Sequence, residues 1–248
     1  MALARIWRSL NLGRGSAATS EEYMARRKRS RPYRDLARVR ANEAARLLSR
    51  VFIADAALRL LDLGSSDGLM LAELQRRFPI AKIVGLDESP AAVQAAAERG
   101  VEVVLGDAAA IPLPAASFEA VTIMSTLKHV PDARRVLSEC RRVLVPGGHL
   151  ILADATPFGI RIGFRMKHFV PGTVFHRWSV REAAAELERA GFLVIESRRY
   201  MPAPIDFAGR EAVERALGEL GLDVCFMQQV LFASAPPAPS PDLRDLPR

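Results

Sequence analysis

Leu60-Leu61-Asp62-Leu63-Gly64-Ser65-Ser66-Asp67-Gly68 decides the fold of this chain. A short apolar strand runs into a glycine-bearing turn, and a helix-forming stretch from Leu69 to Phe78 follows at once. Only small residues let a backbone turn that tightly and approach a ligand closely. The helix that follows points its free N–H groups at whatever sits in the turn. Downstream, Ile83-Val84-Gly85-Leu86-Asp87 is a second apolar strand that ends in an acid. An acid at the tip of a second strand is placed to hold the two hydroxyls of a ribose. Asp107 ends a third apolar strand in the same way. A glycine turn alone is a weak signal; the turn and the acids at successive strand ends together indicate a nucleoside cofactor.

The chain has 248 residues, 50% of them hydrophobic, which suits one α/β domain with additions. No apolar run reaches the roughly 18 residues of a membrane-spanning helix. Cys140 and Cys225 lie far apart without metal-ligand spacing and read as buried, reduced thiols, which points to the cytoplasm. The net charge of +7 is uneven. Residues 1–50 hold thirteen Lys/Arg against four acids, so the remainder is slightly acidic. The basic character belongs to an N-terminal helical arm, residues 1–50, and not to the domain over residues 51–235.

Within the arm, Leu3, Ile6, Trp7 and Leu10 share one helical face beside Arg5 and Arg8, which suits either a membrane-surface contact or a helix capping the domain. That apolar stretch is too short and too interrupted for a secretory signal; an Arg-rich organelle transit peptide is the alternative. Residues 13–20 read as a linker and 21–50 as one or two helices. The Arg26–Arg31 cluster lacks interleaved aromatics beyond Tyr23 and Tyr33, so a solvated helix face is favoured over nucleic-acid contact.

From Leu58 strands and helices alternate. Strands are predicted over Leu58–Leu63, Lys82–Asp87, Val101–Leu105, Ala120–Met124, His149–Asp154, Phe192–Ser197 and Val224–Ala233. Helices are predicted over 68–78, Ser89–Arg99, Asp132–Val143, Val180–Ala190 and 210–220. Ser89-Pro90 opens one helix, Gly100 stops it, and Ser179 with Glu182 forms a capping-box pattern. Such alternation implies a Rossmann-like α/β fold: a seven-stranded, mostly parallel sheet with helices on both faces and an antiparallel last strand. Ligands bind such sheets at the strands' carboxyl ends, where strand order reverses. The tail, 236–248, is Pro-rich and reads as disordered.

These stretches, with Gly106-Asp107-Ala108, Ile111-Pro112-Leu113-Pro114, Ser117-Phe118-Glu119-Ala120-Val121, His129-Val130-Pro131-Asp132 and Glu139-Cys140-Arg141-Arg142-Val143-Leu144-Val145-Pro146-Gly147-Gly148, follow one another in a specific order and spacing. In that order the chain resembles the class I S-adenosylmethionine-dependent methyltransferases, in the small-molecule branch that includes ubiquinone and menaquinone biosynthesis methyltransferases. The resemblance covers about residues 58–155. It implies that Gly64, Ser65, Ser66 and Gly68 pass the methionine moiety and that Asp62 orients the turn and the cofactor's amino group. It also implies that Asp87, with Glu88 beside it, holds the ribose, and that Asp107 and Ala108 take the adenine. Ser125 would lie near the reacting methyl. Two departures stand out: Ser66 replaces the family's second glycine, and Lys128 replaces one of a histidine pair. An NAD-type Rossmann reading is the closest rival, but the full G-x-G-x-x-G spacing is missing after Gly64.

A sulfonium methyl is already activated, so the protein need mainly align the displacement and exclude water. His129 is the candidate catalytic residue, should the acceptor have to lose a proton. Where enzymes that methylate base amino groups carry an Asn/Asp-Pro-Pro-aromatic turn, this chain reads Met124-Ser125-Thr126-Leu127. Methylation of an oxygen or carbon of a small acceptor is therefore expected. The segment 156–178 has five aromatics, several cations and no acid, and reads as a lid over an anionic or lipid-like acceptor. Asp154, Arg161, Arg165, His168 and His176 are the candidate acceptor contacts. No metal site is expected. A cofactor-binding pseudoenzyme or regulatory partner and an RNA methyltransferase are the alternatives.

Overall fold

The computed structural model describes residues 31–52, 58–165, 174–200, 210–220, 226 and 228–237. The N-terminal amphipathic stretch, His168, Cys225 and most of the tail lie outside them.

The strands are β1 (Arg59–Leu63), β2 (Lys82–Asp87), β3 (Val103–Leu105), β4 (Phe118–Met124), β5 (Leu144–Ala155), β6 (Leu193–Tyr200) and β7 (Gln228–Ser234). They form one seven-stranded sheet in the order β3-β2-β1-β4-β5-β7-β6. From β3 to β5 every neighbouring pair is parallel, and β7 runs antiparallel to both β5 and β6. The chain leaves β1 towards β2 and β3, then returns to lay β4 on the other side of β1. The switch point therefore lies between the carboxyl ends of β1 and β4, the crevice where open α/β sheets bind ligands.

Along the parallel strands consecutive side chains enter opposite faces. Leu60, Ile83, Ala120 and Ile151 join one buried cluster with α1 (Arg31–Leu48) and α2 (Leu69–Arg77). Leu61, Val84, Val121 and Leu150 join the other with α4 (Ala133–Val143) and α6 (Val180–Arg189). Both faces of the sheet are covered, which explains the near-continuous apolar strands. Helix α3 (Pro90–Ala97) links β2 to β3 and α7 (Arg210–Glu219) links β6 to β7.

Helix α1 is more than part of a basic arm. Val39, Ala41, Ala44, Leu47 and Leu48 are fully buried in the first cluster. The charge excess of residues 1–50 masked this apolar face, and packing does not break at residue 50.

Local differences from the predicted elements have plain causes. The Val101 N–H is spent on Ala96 at the end of α3, so β3 starts only at Val103. Pro146-Gly147-Gly148 does not precede β5 but lies within it. Leu144 pairs with Phe118, a register shift follows, and Gly147 takes φ 77. A proline is tolerated in a strand at such a bulge. Within the predicted lid, α5 (Pro157–Arg165) forms, with Thr156 Oγ1 accepting from the Gly159 N–H at 3.0 Å as an N-cap does. The glycines at 159 and 163 hid this helix from a pattern reading.

Candidate functional site

At the end of β1 the turn is held from both sides. The Gly64 and Ser65 N–H groups donate to Leu86 O on β2, at 2.8 and 3.2 Å. Thr122 Oγ1 on β4 donates to Asp62 Oδ1 at 2.6 Å, and Ser65 Oγ donates to Asp62 O at 2.7 Å. Asp62 is 3% exposed, and burial pushes its carboxyl up to about 7, against the hydrogen bonds from Thr122 and Ser65. The Asp87 charge adds to the rise and the Arg40 charge opposes it.

Ser66 sits at φ 53, the left-handed region, and its N–H donates to Asp87 Oδ2 at 2.8 Å. Asp87 Oδ1 accepts from the N–H of Ser89, the N-cap of α3, at 3.0 Å. Each Asp87 oxygen thus receives one backbone N–H and keeps acceptor capacity for hydroxyls. Glu88 beside it is exposed. Gly106 N–H donates to Asp87 O, tying the ends of β2 and β3 together, and Asp107 Oδ1 accepts from Ala109 N–H at 2.8 Å. Asp107 is exposed and Ala108 half-buried beside it. The glycines serve packing as well as the turn. A side chain at Gly64 would run into Thr126, and one at Gly68 into Val101 and Ala96.

A second group of polar residues lies where β4 and β5 end. Ser125 takes φ 68 and donates its N–H to Ala153 O. Its hydroxyl accepts from Arg40 Nη2 at 2.6 Å and faces Gln228 Oε1 at 3.3 Å. Lys128 follows in a 3₁₀ turn, Leu127–His129. Its ammonium pairs with Asp154 Oδ1 at 2.9 Å and donates to Ser125 O, while its N–H donates to Asp154 Oδ2 at 2.9 Å. The Lys128 side chain is 5% exposed and that of Asp154 14%. This is a desolvated pair, neutral as a unit, and Asp154 is committed to it.

Leu127, Lys128, Leu152, Asp154, His176, Trp178 and Gln229 line a small cleft beside this pair. His176 Nε2 donates to Val130 O at 2.9 Å, and its ring leans on Trp178 with centroids 4.6 Å apart. His129 is exposed on the 3₁₀ turn and does not line the cleft. Arg161 on α5 is exposed, its guanidinium 5.5 Å from the Phe158 ring centroid; Arg165 ends that helix. Cys140 is buried in α4, where burial holds its thiol protonated. Among the described residues no group of His, Cys, Asp and Glu could hold a metal ion.

The structure therefore gathers Asp62, Gly64, Ser65, Ser66, Gly68, Asp87, Glu88, Asp107 and Ala108 around the ends of β1 to β3. It brings Asp154 and His176 together in a neighbouring cleft, with Ser125 between the groups. Arg40, Thr122, Gln228 and Gln229 escaped the sequence reading. Arg40 looked like one more charge in a basic run, and only its neighbours Val39 and Ala41, both apolar, hinted that it flanks a buried face.

A family profile described as "Methyltransferase domain" matches residues 61–152, from β1 to β5. A demethylmenaquinone methyltransferase of Thermus thermophilus is 30% identical over 181 residues, 67% of this chain and 74% of that one. The chain belongs to the class I S-adenosylmethionine-dependent methyltransferases. A phthiotriol/phenolphthiotriol dimycocerosates methyltransferase of Mycobacterium leprae is 32% identical over 166 residues, 62% of this chain and 60% of that protein. The match spans about half the length of two further demethylmenaquinone methyltransferases. In fold, the methyltransferase resembles one solved in complex with the Haloferax volcanii Trm112 methyltransferase activator. The TM-score is 0.68 at 23% identity, covering 88% of this chain and 96% of that one. S-adenosylmethionine is the cofactor, and the donor set at the switch point fits it. A half-buried acid ends β2, an exposed acid follows β3, and the turn after β1 runs through small residues between them.

Proposed function

We propose that this methyltransferase moves the methyl group of S-adenosylmethionine to an oxygen or carbon of a small, largely apolar, quinone- or lipid-like acceptor. The observation that carries this reading is the exit of β4. Ser125-Thr126-Leu127-Lys128 leads into a cleft with apolar walls, an aromatic pair at His176 and Trp178, and a neutral Lys128–Asp154 pair. Such a lining suits an apolar body with few polar groups. It offers no Asn/Asp-Pro-Pro-aromatic turn to grip a base amino group. The names of the relatives in the Thermus and Mycobacterium proteins, a demethylmenaquinone and a phthiotriol dimycocerosate, point to the same acceptor chemistry.

In this reading Asp87 accepts from the ribose hydroxyls and Asp107 from the adenine amino group. Asp62 faces the methionine ammonium, and Ser125 stands beside the reacting end. The bound cofactor supplies an activated methyl on a positively charged sulfur. The protein's part is alignment and exclusion of water. His176 donates its Nε2 proton to Val130, which leaves Nδ1 as the ring's acceptor. His129, exposed on the 3₁₀ turn, is the other imidazole for a proton removed from the acceptor.

Calorimetric titration with S-adenosylmethionine and S-adenosylhomocysteine, on the wild type and Asp87→Ala, tests the cofactor roles. Micromolar binding lost in the variant is the expected result. The acceptor is then sought by mass spectrometry of reactions with hydroxylated naphthalenes, phenols, lipid-like alcohols and a structured RNA. Turnover of RNA and of none of the small acceptors would sink the proposal.

A further inference from the structure

Gln229 interrupts an apolar row. Side chains two apart on β7 enter the same face of the sheet, and on that face Leu231 and Ala233 are fully buried among hydrocarbon. Gln229 is itself only 2% exposed, so an amide is buried where its neighbours bury methyl groups. Half of that amide has a plain task. Its Nε2 donates to Trp178 O at 2.8 Å and ties the segment before α6 to β7. This bond fixes which way the amide points, because a flipped amide would set its oxygen against the Trp178 carbonyl. The other half is left over. Oε1 is buried, and among the described residues it accepts no hydrogen bond. A buried acceptor without a donor is costly, and native structures rarely keep one without a use.

Gln229 lies on the wall of the cleft with Leu127, Lys128, Leu152, His176 and Trp178. It stands opposite Asp154 in the β5–β7 ladder, and opposed residues present their side chains on one face. The Asp154 carboxylate is engaged. Its Oδ1 accepts from the Lys128 ammonium and the Ala155 N–H, and its Oδ2 accepts from the Lys128 N–H. The cleft therefore sets a neutralised acid beside an amide oxygen that still has capacity. A trapped water would need about two to four polar partners. The walls at Leu127, Leu152, Ala183 and Leu231 supply none. An apolar ligand that carries an O–H fits better, since its body meets the hydrocarbon and its proton meets Oε1.

We propose that Gln229 is a specificity-determining residue: Oε1 accepts a hydrogen bond from a hydroxyl of the methyl acceptor, and so selects acceptors that carry one. This rests on the reading of the cleft as the acceptor site. The Nε2 bond to Trp178 holds Oε1 in place before the acceptor arrives, so little ordering remains to be done on binding.

The test is titration calorimetry of the S-adenosylhomocysteine complex, wild type and Gln229→Met, with 1-naphthol and 1-methylnaphthalene as probes. The two probes have nearly the same shape, and only the first carries a hydroxyl. Methionine is close to glutamine in size and has no amide. Gln229→Met should weaken 1-naphthol about 10-fold and leave 1-methylnaphthalene within about twofold. Loss of the Trp178 bond by itself would loosen the cleft and weaken both probes alike, so the ratio of the two dissociation constants is what reads Oε1. Retained S-adenosylhomocysteine binding shows that the variant is folded. An unchanged ratio overturns the proposal, whether both probes weaken or neither does, and assigns Oε1 to a trapped water. So does a wild-type complex that binds neither probe. If the wild type binds no S-adenosylhomocysteine, or methylates RNA and no small acceptor, the functional reading falls and this inference with it. An unchanged ratio in an enzyme that methylates a small acceptor strikes this inference alone.

Discussion

Ser66 holds a backbone conformation that a side chain makes expensive. At φ 53 its Cβ crowds the following carbonyl, a cost of about 1–2 kcal/mol for an L-residue outside glycine. The N–H thereby presented to Asp87 Oδ2 fixes the turn in the ligand-free protein. The strain is therefore carried by folding and not by binding. Ser66→Gly should raise the unfolding free energy by up to about 1 kcal/mol, since glycine's greater unfolded-state entropy offsets part of the relief. Ser66→Val, β-branched in the same conformation, should lower it by more than that. Urea unfolding at constant slope reads both, and S-adenosylhomocysteine affinity should change less than about threefold in Ser66→Gly, about 0.65 kcal/mol. A large affinity gain would place the strain in the bound state instead. At this scale the sequence pointed to Asp62, Asp87 and Asp107 as acids near the ends of apolar strands, and the structure sets all three around the ends of β1 to β3, each also accepting a hydrogen bond from the protein. It did not show Arg40 or the Lys128–Asp154 pair. Their meaning comes from a helix and a turn far apart in sequence, brought to one crevice by the sheet.

Helix α1 is tied to the far edge of the sheet by charge as well as by apolar packing. Glu43, 1% exposed, accepts from Arg46 on its own helix and from Arg198 on β6. Glu196 on β6 accepts in turn from Arg46 at 2.7 Å and from the half-exposed Arg50. The burial of Glu43 makes its removal different in kind from that of Arg50. Glu43→Ala strips the acid from between Arg46 and Arg198 and should cost about 3 kcal/mol. Arg50→Ala breaks an exposed pair and should cost less than about 1 kcal/mol. Denaturant unfolding of the two variants checks the contrast, and similar losses would mean that the network works by charge alone. The elements themselves were largely legible. Short apolar strands, Ser89-Pro90, Gly100 and the Ser179–Glu182 capping box each act within a few residues, and local physics decides them. The structure shows that box complete, with Ser179 Oγ accepting from Glu182 N–H at 3.3 Å and Glu182 Oε2 from Ser179 N–H at 2.8 Å. What local pattern could not give was the bulged start of β5, which depends on Phe118 of β4, and α5, whose glycines argue against a helix that tertiary context allows.

The whole molecule places a carboxyl, that of Asp62, in its interior at the end of β1, and this couples stability to pH. Burial raises Asp62 from its ordinary 3.8 to about 7, so the folded protein holds a proton that the unfolded chain releases. The stability contributed by the protonated form is fully present below pH 3.8 and is lost as pH rises through about 7. The full swing is on the order of 4 kcal/mol, since one pKa unit corresponds to 1.36 kcal/mol. Asp62→Asn keeps an oxygen for the Thr122 hydroxyl and cannot ionise. Between pH 5 and 8 its unfolding free energy should stay flatter than that of the wild type, and the two curves should diverge most at pH 8, where the variant is the more stable. Urea unfolding at stepped pH reads this directly, and parallel curves would mean that Asp62 stays ionised throughout. In the proposed cofactor site, ligand binding pulls the other way. A methionine ammonium beside Asp62 favours the carboxylate, so S-adenosylhomocysteine should bind the wild type more tightly as pH rises from 6 to 8. Under the proposed role of Asp62, the interior acid that weakens the empty fold at neutral pH is the one that holds the cofactor, and the bound complex recovers by mass action what the free protein gives up.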